Sequence, residues 1–379
     1  MTPEHDFLDD DPMEDDLPGE GIPRPTARRP RLKPHPVPPV VAVFNHKGGI
    51  AKTTTACNLA ACWAAEGRRV LLVDMDAQAN TGASFGLIRM PDAGVWDVMT
   101  ETLPLAEARQ PSPYPNLTLL PATPRLRTAD LVLGRMEEGV DLLRPHLRGI
   151  DHDVVLIDCP PSFGLTALNA LSAASAVVIP SRPDPFSHEG MVSTWAEITR
   201  LRRMPGMDLA QISILLTMHQ AGSSQDQWIA AARAEFGHLV CDDIIPMDDE
   251  VMTAAQAFMP ALVMSPDGLA GEAYRRAAHD LAARFGLWDE SPDRDREDKD
   301  RDTVNTLRDW RSSHRELTRM GDQTIAWTPP LEPPLDEEAA PPQVARRKIP
   351  AWIMTLAGTV AAALGTMVWM LHDALLTVK

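Results

Sequence analysis

One stretch of ten residues decides the fold, HKGGIAKTTT at positions 46–55. It follows an apolar, β-branched run, Val40–Phe44, and opens an alanine-rich helical segment, Thr53–Ala65. A glycine-rich loop between a strand and a helix gathers backbone N–H groups and a helix N-terminus around an anion. The stretch therefore predicts a phosphate-binding loop, in which Lys52 neutralises phosphate charge and the Thr53 hydroxyl ligates Mg²⁺.

The distribution of lysine marks the same loop. The chain has 36 basic residues but only six lysines, and between residues 40 and 287 the only two are Lys47 and Lys52. A compact ammonium group fits among phosphates where a planar guanidinium does not. Both lysines are therefore predicted to serve phosphate groups, although His46 and Ala51 replace the glycines of the general pattern G-x-x-x-x-G-K-[ST].

The sequence around the loop alternates apolar runs with helical segments from residue 39 to about residue 287. The predicted strands are Val40–Phe44, Val70–Val73, Leu117–Leu120, Val154–Ile157, Ala176–Ile179 and Ile212–Leu216. The predicted helices are Thr53–Ala65, Leu131–Leu147, Leu165–Ala174, Gly190–Arg203, Trp228–Phe236 and Gly271–Phe285. Continuous apolar strands separated by helices indicate an α/β domain over 39–287, with a mostly parallel sheet covered on both faces.

Three further motifs follow the loop in order: VDMDAQAN at 73–80, VVLIDCPPS at 154–162 and Ile244–Pro246. Together with the loop they resemble the ParA/MinD family of P-loop ATPases. KGGIAKT at 47–53 is similar to the family's deviant Walker A box, and VDMDAQAN at 73–80 to its V-D-x-D-x-Q-x-N segment. VVLIDCPPS at 154–162 looks like the family's Walker B strand and switch, and Ile244–Pro246 like the segment that closes over the base. The resemblance covers about residues 39–287 and implies ATP hydrolysis with ATP and Mg²⁺ as cofactors.

The resemblance also implies a role for each matching residue. The residues that bind the triphosphate are Lys47, Gly48, Gly49, Ile50, Ala51, Lys52, Thr53 and Thr54. Lys47 reaches the partner's phosphates across an ATP-sandwich homodimer, Thr53 holds Mg²⁺ directly and Asp158 holds it through water. Asp76 positions or activates the attacking water, and Pro246 lies at the base. We expect Ala51, where the family has glycine, to keep a helix-like conformation.

Asp76 is also a candidate from position alone. It lies just beyond the predicted strand Val70–Val73, and parallel sheets place their active sites at the carboxyl ends of the strands. This reading agrees with the role that the resemblance implies.

The end of the sequence predicts a membrane anchor. Pro350–Leu371 contains 22 residues without a charge, roughly 33 Å as a helix, which matches a bilayer core. Trp352 and Trp369 lie near its two ends, where interfacial aromatic residues are common. The basic residues 346–348 precede it, so the positive-inside bias predicts a single-pass anchor in the bacterial inner membrane with the ATPase domain in the cytoplasm.

Two polar segments flank the predicted domain. Residues 1–38 are first acidic, then basic and proline-rich, and predict a disordered tail. Residues 288–349 predict a charged and proline-rich linker, within which Thr303–Met320 can form one amphipathic helix. The four cysteines form no C-x-x-C pair, which favours a reducing compartment.

The charge of the chain indicates whether it can bind nucleic acid. A formal net charge of −17 argues against a generic nucleic-acid coat, and Met247–Glu250 is acidic where the resembling family tends to carry arginines. Two groups of arginines remain candidates for a basic face: Arg200, Arg202 and Arg203, and Arg275, Arg276 and Arg284.

The sequence favours a tail-anchored ATPase with a nucleotide-dependent dimer switch, stimulated by a ParB-like or other partner protein. Such an ATPase partitions or positions DNA or another cargo. Two alternatives stay open. One is an ordinary partition ATPase that binds DNA non-specifically, and the other is a nucleotide-gated membrane scaffold with negligible hydrolysis.

Overall fold

A mostly parallel β-sheet forms the centre of the structure. The computed structural model describes residues 38–87, 91–136, 139–222, 224–288 and 296–320. The strands in these ranges are β1 (Val40–Val43), β2 (Val70–Asp74), β3 (Gln110–Pro111), β4 (Leu117–Leu120), β5 (Val154–Asp158), β6 (Ala176–Ser181) and β7 (Gln211–Leu216). They pair in the order β3-β4-β2-β5-β1-β6-β7, and within the described ranges only the edge strand β3 is antiparallel to its neighbour.

Helices cover both faces of this sheet. Those of the described ranges are α1 (Lys52–Ala65), α2 (Asn80–Ala83), α3 (Val95–Met99), α4 (Leu105–Ala108), α5 (Ala129–Leu133), α6 (Leu165–Ala173), α7 (Pro185–Leu201), α8 (Asp226–Phe236), α9 (Asp249–Gln256), α10 (Ala261–Met264), α11 (Leu269–Phe285) and α12 (Arg296–Met320). Val41 and Val43 of β1 are buried with residues of α1 and α11, and Val40 and Ala42 with residues of α6 and α7. The predicted α/β fold with a mostly parallel sheet is confirmed.

The strand register brings the chemistry to one edge of the sheet. Asp158, the last residue of β5, pairs with Val43 of β1 on one side and with Asp74 of β2 on the other. Because these strands are parallel, the segments that follow them leave the sheet at the same edge. The phosphate-binding loop after β1 and the carboxylates after β2 and β5 are therefore neighbours.

The helix predicted over Leu131–Leu147 is wrong. Among the residues of this stretch that the structure describes, only those of the short α5 and of a single 3₁₀ turn, Arg144–Leu147, are helical, and residues 139–143 form a loop. Gly139 approaches the backbone so closely that an added Cβ would clash with the carbonyl oxygen of Leu133. The Asn169 side chain fixes this loop, since it donates to Gly139 O (2.6 Å) and accepts from Leu142 N (2.7 Å).

The helix α12 extends the packed unit beyond the boundary predicted at residue 287. Leu307 of α12 is fully buried, and Trp310 stacks on Tyr114 with ring centroids 4.9 Å apart and planes inclined by 12°. Asp300 of α12 forms a 2.5 Å ion pair with Arg275 of α11. The apolar face that the sequence placed in a linker is thus part of the core, because it packs against α1 and α10 and joins the same apolar cluster as residues of α11.

Part of the sequence analysis falls on residues outside the described ranges. These are the N-terminal tail up to residue 37, the proline-rich segment 321–349 and the predicted membrane segment Pro350–Leu371. Among the helices that the structure does describe, none combines the length and the apolar character needed to cross a bilayer.

Candidate nucleotide-binding site

The loop at 46–55 is held by two buried side chains that sequence reasoning missed. Asn45 accepts a hydrogen bond from the backbone N–H of Lys47 (3.0 Å) and donates one to Pro180 O (2.9 Å), which ties the loop to β6. The Thr217 hydroxyl, beyond the end of β7, donates to Ile50 O (3.3 Å). Both side chains are fully buried, so the start and the middle of the loop are fixed from neighbouring strands.

Ala51 lies in the left-handed region, with φ 65° and ψ 34°, and serves as the N-cap of α1. The expectation that Ala51 keeps a helix-like conformation is therefore wrong. The left-handed conformation of Ala51 comes directly before Lys52, and Gly49 also has a positive φ, 71°, two residues earlier. Because Ala51 offers no polar side chain, the first N–H groups of α1 have no side-chain cap and are open to an anion.

We expect Ala51→Gly to raise the free energy of unfolding by up to about 1.5 kcal/mol. A left-handed alanine costs about 1–2 kcal/mol, and the greater freedom of glycine in the unfolded chain offsets about 0.4–1 kcal/mol of the gain. Thermal unfolding without nucleotide measures the effect. The control is Ala56→Gly within α1, which should destabilise the protein, and equal losses in both variants would contradict the strain at Ala51.

The Lys52 side chain folds back into the phosphate-binding loop. Its ammonium group donates to Lys47 O (2.8 Å), and the residue is only 7% exposed. Burial lowers the pKa of Lys52, while the charges of Asp158 and Asp76 act in the opposite direction. The loop thus holds one positive charge at its centre, close to two carboxylates.

Asp158 is fully buried and has one unsatisfied oxygen. Its Oδ2 accepts from the Thr81 hydroxyl (2.9 Å), whereas Oδ1 has no hydrogen-bond partner among the described residues. Burial raises the pKa of Asp158 to about 6, although the Thr53 and Thr81 hydroxyls and the charge of Lys52 lower it. A buried carboxylate oxygen without a donor, next to the hydroxyl of Thr53, fits a hard divalent cation such as Mg²⁺.

Asp74 and Asp76 have different functions in the structure. Asp74 is buried, and its two oxygens accept from the backbone N–H groups of Asp76 (3.0 Å) and Thr81 (3.2 Å). Burial and the nearby Asp158 raise the pKa of Asp74. Asp76 is half-buried and accepts from Gln78 N (3.0 Å) through Oδ1. Asp74 therefore shapes the turn after β2, and Asp76 is the carboxylate that is partly open to solvent.

Lys47 points away from Lys52, to the N-terminus of α7. Its ammonium group donates to the Ser187 hydroxyl (2.8 Å) and lies 3.8 Å from Asp184 Oδ1. Asp184 is the N-cap of α7 and accepts from Ser187 N (2.8 Å), which explains why this helix begins five residues before the predicted Gly190. The Lys47 side chain is 32% exposed, so its charge is held at the rim of the site.

Pro246 lies at the same edge of the sheet as the loop. It forms a parallel bridge with His219, which follows β7, and Ile245 N donates to Leu216 O (2.9 Å) at the end of β7. The neighbouring Asp248 caps α9 and accepts from Ala270 N of α11 (3.1 Å). One of the acidic residues after Pro246 therefore has a structural function.

One of the two arginine groups is already paired. Arg275 is 8% exposed and bound to Asp300, Arg276 lies 2.7 Å from Asp243, and Arg284 lies 2.6 Å from Asp280. These three arginines do not form the free basic face that the sequence left open. The other group, Arg200, Arg202 and Arg203, is exposed at the end of α7.

Comparisons with known proteins match the segment that builds this site. A family model described as an AAA domain matches residues 39–210. The chromosome partitioning protein ParA of Caulobacter vibrioides is 34% identical over 251 residues, which cover 65% of this chain and 94% of that protein. The sporulation initiation inhibitor protein Soj of Bacillus subtilis is 31% identical over 248 residues, with 64% and 98% covered.

A solved structure is also similar to this chain. It is a cobyrinic acid a,c-diamide synthase from Mycobacterium smegmatis with a bound ATP analog and magnesium. It is 30% identical to this chain and has a TM-score of 0.58, covering 66% of this chain and 96% of that one. Each of these three matches leaves about a third of the present chain uncovered.

Proposed function

Because this chain belongs to the ParA/MinD family of P-loop ATPases, we propose that it binds Mg²⁺ and ATP at residues 46–55 and dimerises in the ATP-bound state. We further propose that it partitions or positions DNA or another cargo while anchored in the inner membrane. The observation that carries the nucleotide site is the buried, unsatisfied Oδ1 of Asp158 beside Lys52 and Thr53. Without a cation at this position, the burial of that oxygen would destabilise the fold, and no interaction would compensate for it.

Each loop residue contributes a separate part of the binding. Gly48–Thr54 offer backbone N–H groups to the phosphates, and Lys52 neutralises their charge from inside the loop. Thr53 and Asp158 hold Mg²⁺, which when bound screens the charge between the phosphate oxygens. Pro246 borders the base at the carboxyl edge of the sheet. Asp76, partly open to solvent, orients the water that attacks the terminal phosphate.

We expect Asp76→Ala to slow phosphate release by at least about 100-fold while leaving ATP binding unchanged. The reason is that Asp76 contacts the water and not the phosphates, which the loop binds. Phosphate release and fluorescent-nucleotide binding are measured on the same preparation. Asp249→Ala, at an exposed carboxylate on α9, is the matched control. Equal release rates in the parent and Asp76→Ala would favour a nucleotide-gated scaffold with negligible hydrolysis.

The membrane part of the proposal rests on Pro350–Leu371. An uncharged stretch of this length with tryptophan near both ends has the composition of a single bilayer span. The comparisons leave about a third of the chain uncovered, so the anchor is proposed from this chain's own sequence.

We expect the double variant Leu356→Arg/Ala361→Arg to move the protein from the membrane fraction to the soluble fraction. Two arginines near the middle of the span cost several kcal/mol of insertion free energy. Cell fractionation measures the distribution. The matched control, Glu337→Arg/Glu338→Arg, adds two arginines to the preceding segment and should leave the protein with the membrane. Soluble parent protein would contradict the anchor.

A DNA-binding partition ATPase is the second candidate. It is favoured by the likeness to a protein named for chromosome partitioning and by the exposed residues Arg200, Arg202 and Arg203. The same fractionation separates the candidates, because ATP-dependent recovery of the parent with the nucleoid, lost when these arginines are replaced by alanine, would favour DNA.

A further inference from the structure

A second cluster of metal-binding side chains lies away from the phosphate-binding loop, at the other end of α1. Cys62 and Glu66 are four residues apart, so they share one face of the helix end. The Cys62 thiol donates to Glu66 Oε1 (3.3 Å), and His279 Nε2 of α11 lies 3.3 Å from the same oxygen. All three ligand atoms lie within 4.8 Å of one another.

These separations suit a tetrahedral metal ion. Zinc binds sulfur at about 2.3 Å and nitrogen or oxygen at about 2.0–2.2 Å, so neighbouring ligand atoms lie about 3.3–3.8 Å apart. The two measured separations, both 3.3 Å, are at the short end of this range. A central ion therefore needs only small side-chain movements.

The burial of the cluster favours a ligand over simple solvation. Cys62 is fully buried, and both the Glu66 and the His279 side chains are only 14% exposed. The Nε2 atom of His279 is buried and has no hydrogen-bond partner among the described residues. A buried imidazole nitrogen that faces a thiol and a carboxylate is a common first ligand of zinc.

The charges of the cluster balance those of a divalent cation. A thiolate at Cys62 and a carboxylate at Glu66 supply two negative charges, and a neutral His279 adds none. Asp300 of α12 lies 4.0 Å from His279 Nε2, but its Oδ1 already pairs with Arg275 at 2.5 Å, so Asp300 is a neighbour of the cluster and not one of its ligands. Sulfur, nitrogen and oxygen donors together favour zinc over magnesium or calcium, which prefer oxygen alone.

We propose that Cys62, Glu66 and His279 form a structural Zn²⁺ site, with water at the fourth position, that fastens α11 to the end of α1. Binding converts the Cys62 thiol to a thiolate and releases its one proton to solvent, and the hydrogen bond from the thiol to Glu66 is replaced by two bonds to zinc. The site is separate from the nucleotide site and holds whether or not the protein hydrolyses ATP.

Cobalt titration tests this proposal, since Co²⁺ takes the same geometry and reports on its ligands. The tag-free full-length chain is stripped with a chelator and titrated with Co²⁺. We expect one equivalent to bind with a thiolate-to-cobalt charge-transfer absorption, and one equivalent of Zn²⁺ to abolish that absorption. Cys62→Ala should lose the absorption, and its Zn²⁺ affinity should fall by more than the roughly 10–100-fold that loss of an outer-shell partner costs.

Two controls separate this site from the others in the chain. Cys241→Ala removes another buried thiol, and Asp158→Asn removes the predicted Mg²⁺ ligand, and both should keep the absorption. If Cys62→Ala does not fold, His279→Gln reports on the same ion from α11. Absence of the charge-transfer absorption in the parent, or its persistence in Cys62→Ala or His279→Gln, would show that the cluster is only a hydrogen-bonded network.

Discussion

Asp158→Asn is expected to lose about 10³-fold of the Mg²⁺-dependent ATPase rate and, without nucleotide, to be more stable than the parent. The loss of rate follows because a neutral amide is a poor ligand for Mg²⁺. The gain in stability follows because the parent buries a carboxylate whose Oδ1 has no donor among the described residues. One substitution should therefore move activity and stability in opposite directions.

The titration of Asp158 determines whether the free energy of unfolding of the parent rises or falls with pH. The pKa of Asp158 is about 6 in the folded protein, against an ordinary value of 3.8. As the pH rises through this window the unfolded chain loses its proton first, so the free energy of unfolding of the parent falls, by up to about 3 kcal/mol. Because asparagine does not titrate, the free energy of unfolding of the variant does not fall for this reason.

Chemical denaturation between pH 4 and pH 8 measures the difference. The advantage of Asp158→Asn should grow as the pH rises through about 6 and then level off. Asp249→Asn, at an exposed carboxylate, should show no such trend. A variant that is less stable than the parent at pH 8 would mean that the Asp158 carboxylate does not carry the cost of burial that its environment implies.

Lys47→Ala is expected to keep ATP binding but to lose ATP-dependent dimerisation, and with it about 10³-fold of the hydrolysis rate, as when a charge supplied in trans is removed from a phosphoryl-transfer site. The ammonium group of Lys47 lies at the rim of the site against Ser187 and Asp184, and not inside the loop. It can leave these partners at little cost, because an ion pair that is one-third exposed contributes little to stability.

Sedimentation velocity with and without ATP measures the dimer, and fluorescent-nucleotide titration measures binding. Lys52→Ala is the matched control. Its ammonium group donates to the backbone within the loop, so this variant should lose nucleotide binding itself. Lys47→Ala that dimerises with ATP as the parent does would rule out a contact across the dimer.

The sheet was predictable because its strands carry their own signal. The run Val154–Ile157 is apolar at every position, as expected of a strand buried on both faces, and the structure has β5 there. The carboxylates after such strands were predictable for the same reason, since parallel order places all the strand ends together. Asp76 and Asp158 thus lie by the loop, and their roles stay predictions.

Other features depended on contacts that no local pattern carries. Asn45 and Thr217 hold the loop through hydrogen bonds to residues far away in sequence. The left-handed conformation of Ala51 runs against the preference of alanine, and it lies next to Ile50, whose carbonyl oxygen Thr217 binds. The long helix predicted over Leu131–Leu147 is wrong because the leucine-rich composition of this stretch does not reveal the close approach of the backbone at Gly139.

The docked helix α12 also sets the reach of the proposed membrane anchor. With Met320 at the end of α12, only residues 321–349 separate the folded unit from Pro350. Their contour length is at most roughly 100 Å, about half that of a tether starting at residue 288. A shorter tether holds the ATPase domains of neighbouring anchored copies in a thinner layer at the membrane, so at a given membrane density these domains would meet more often. Membrane density of the protein, and not only ATP, would then set how readily it dimerises.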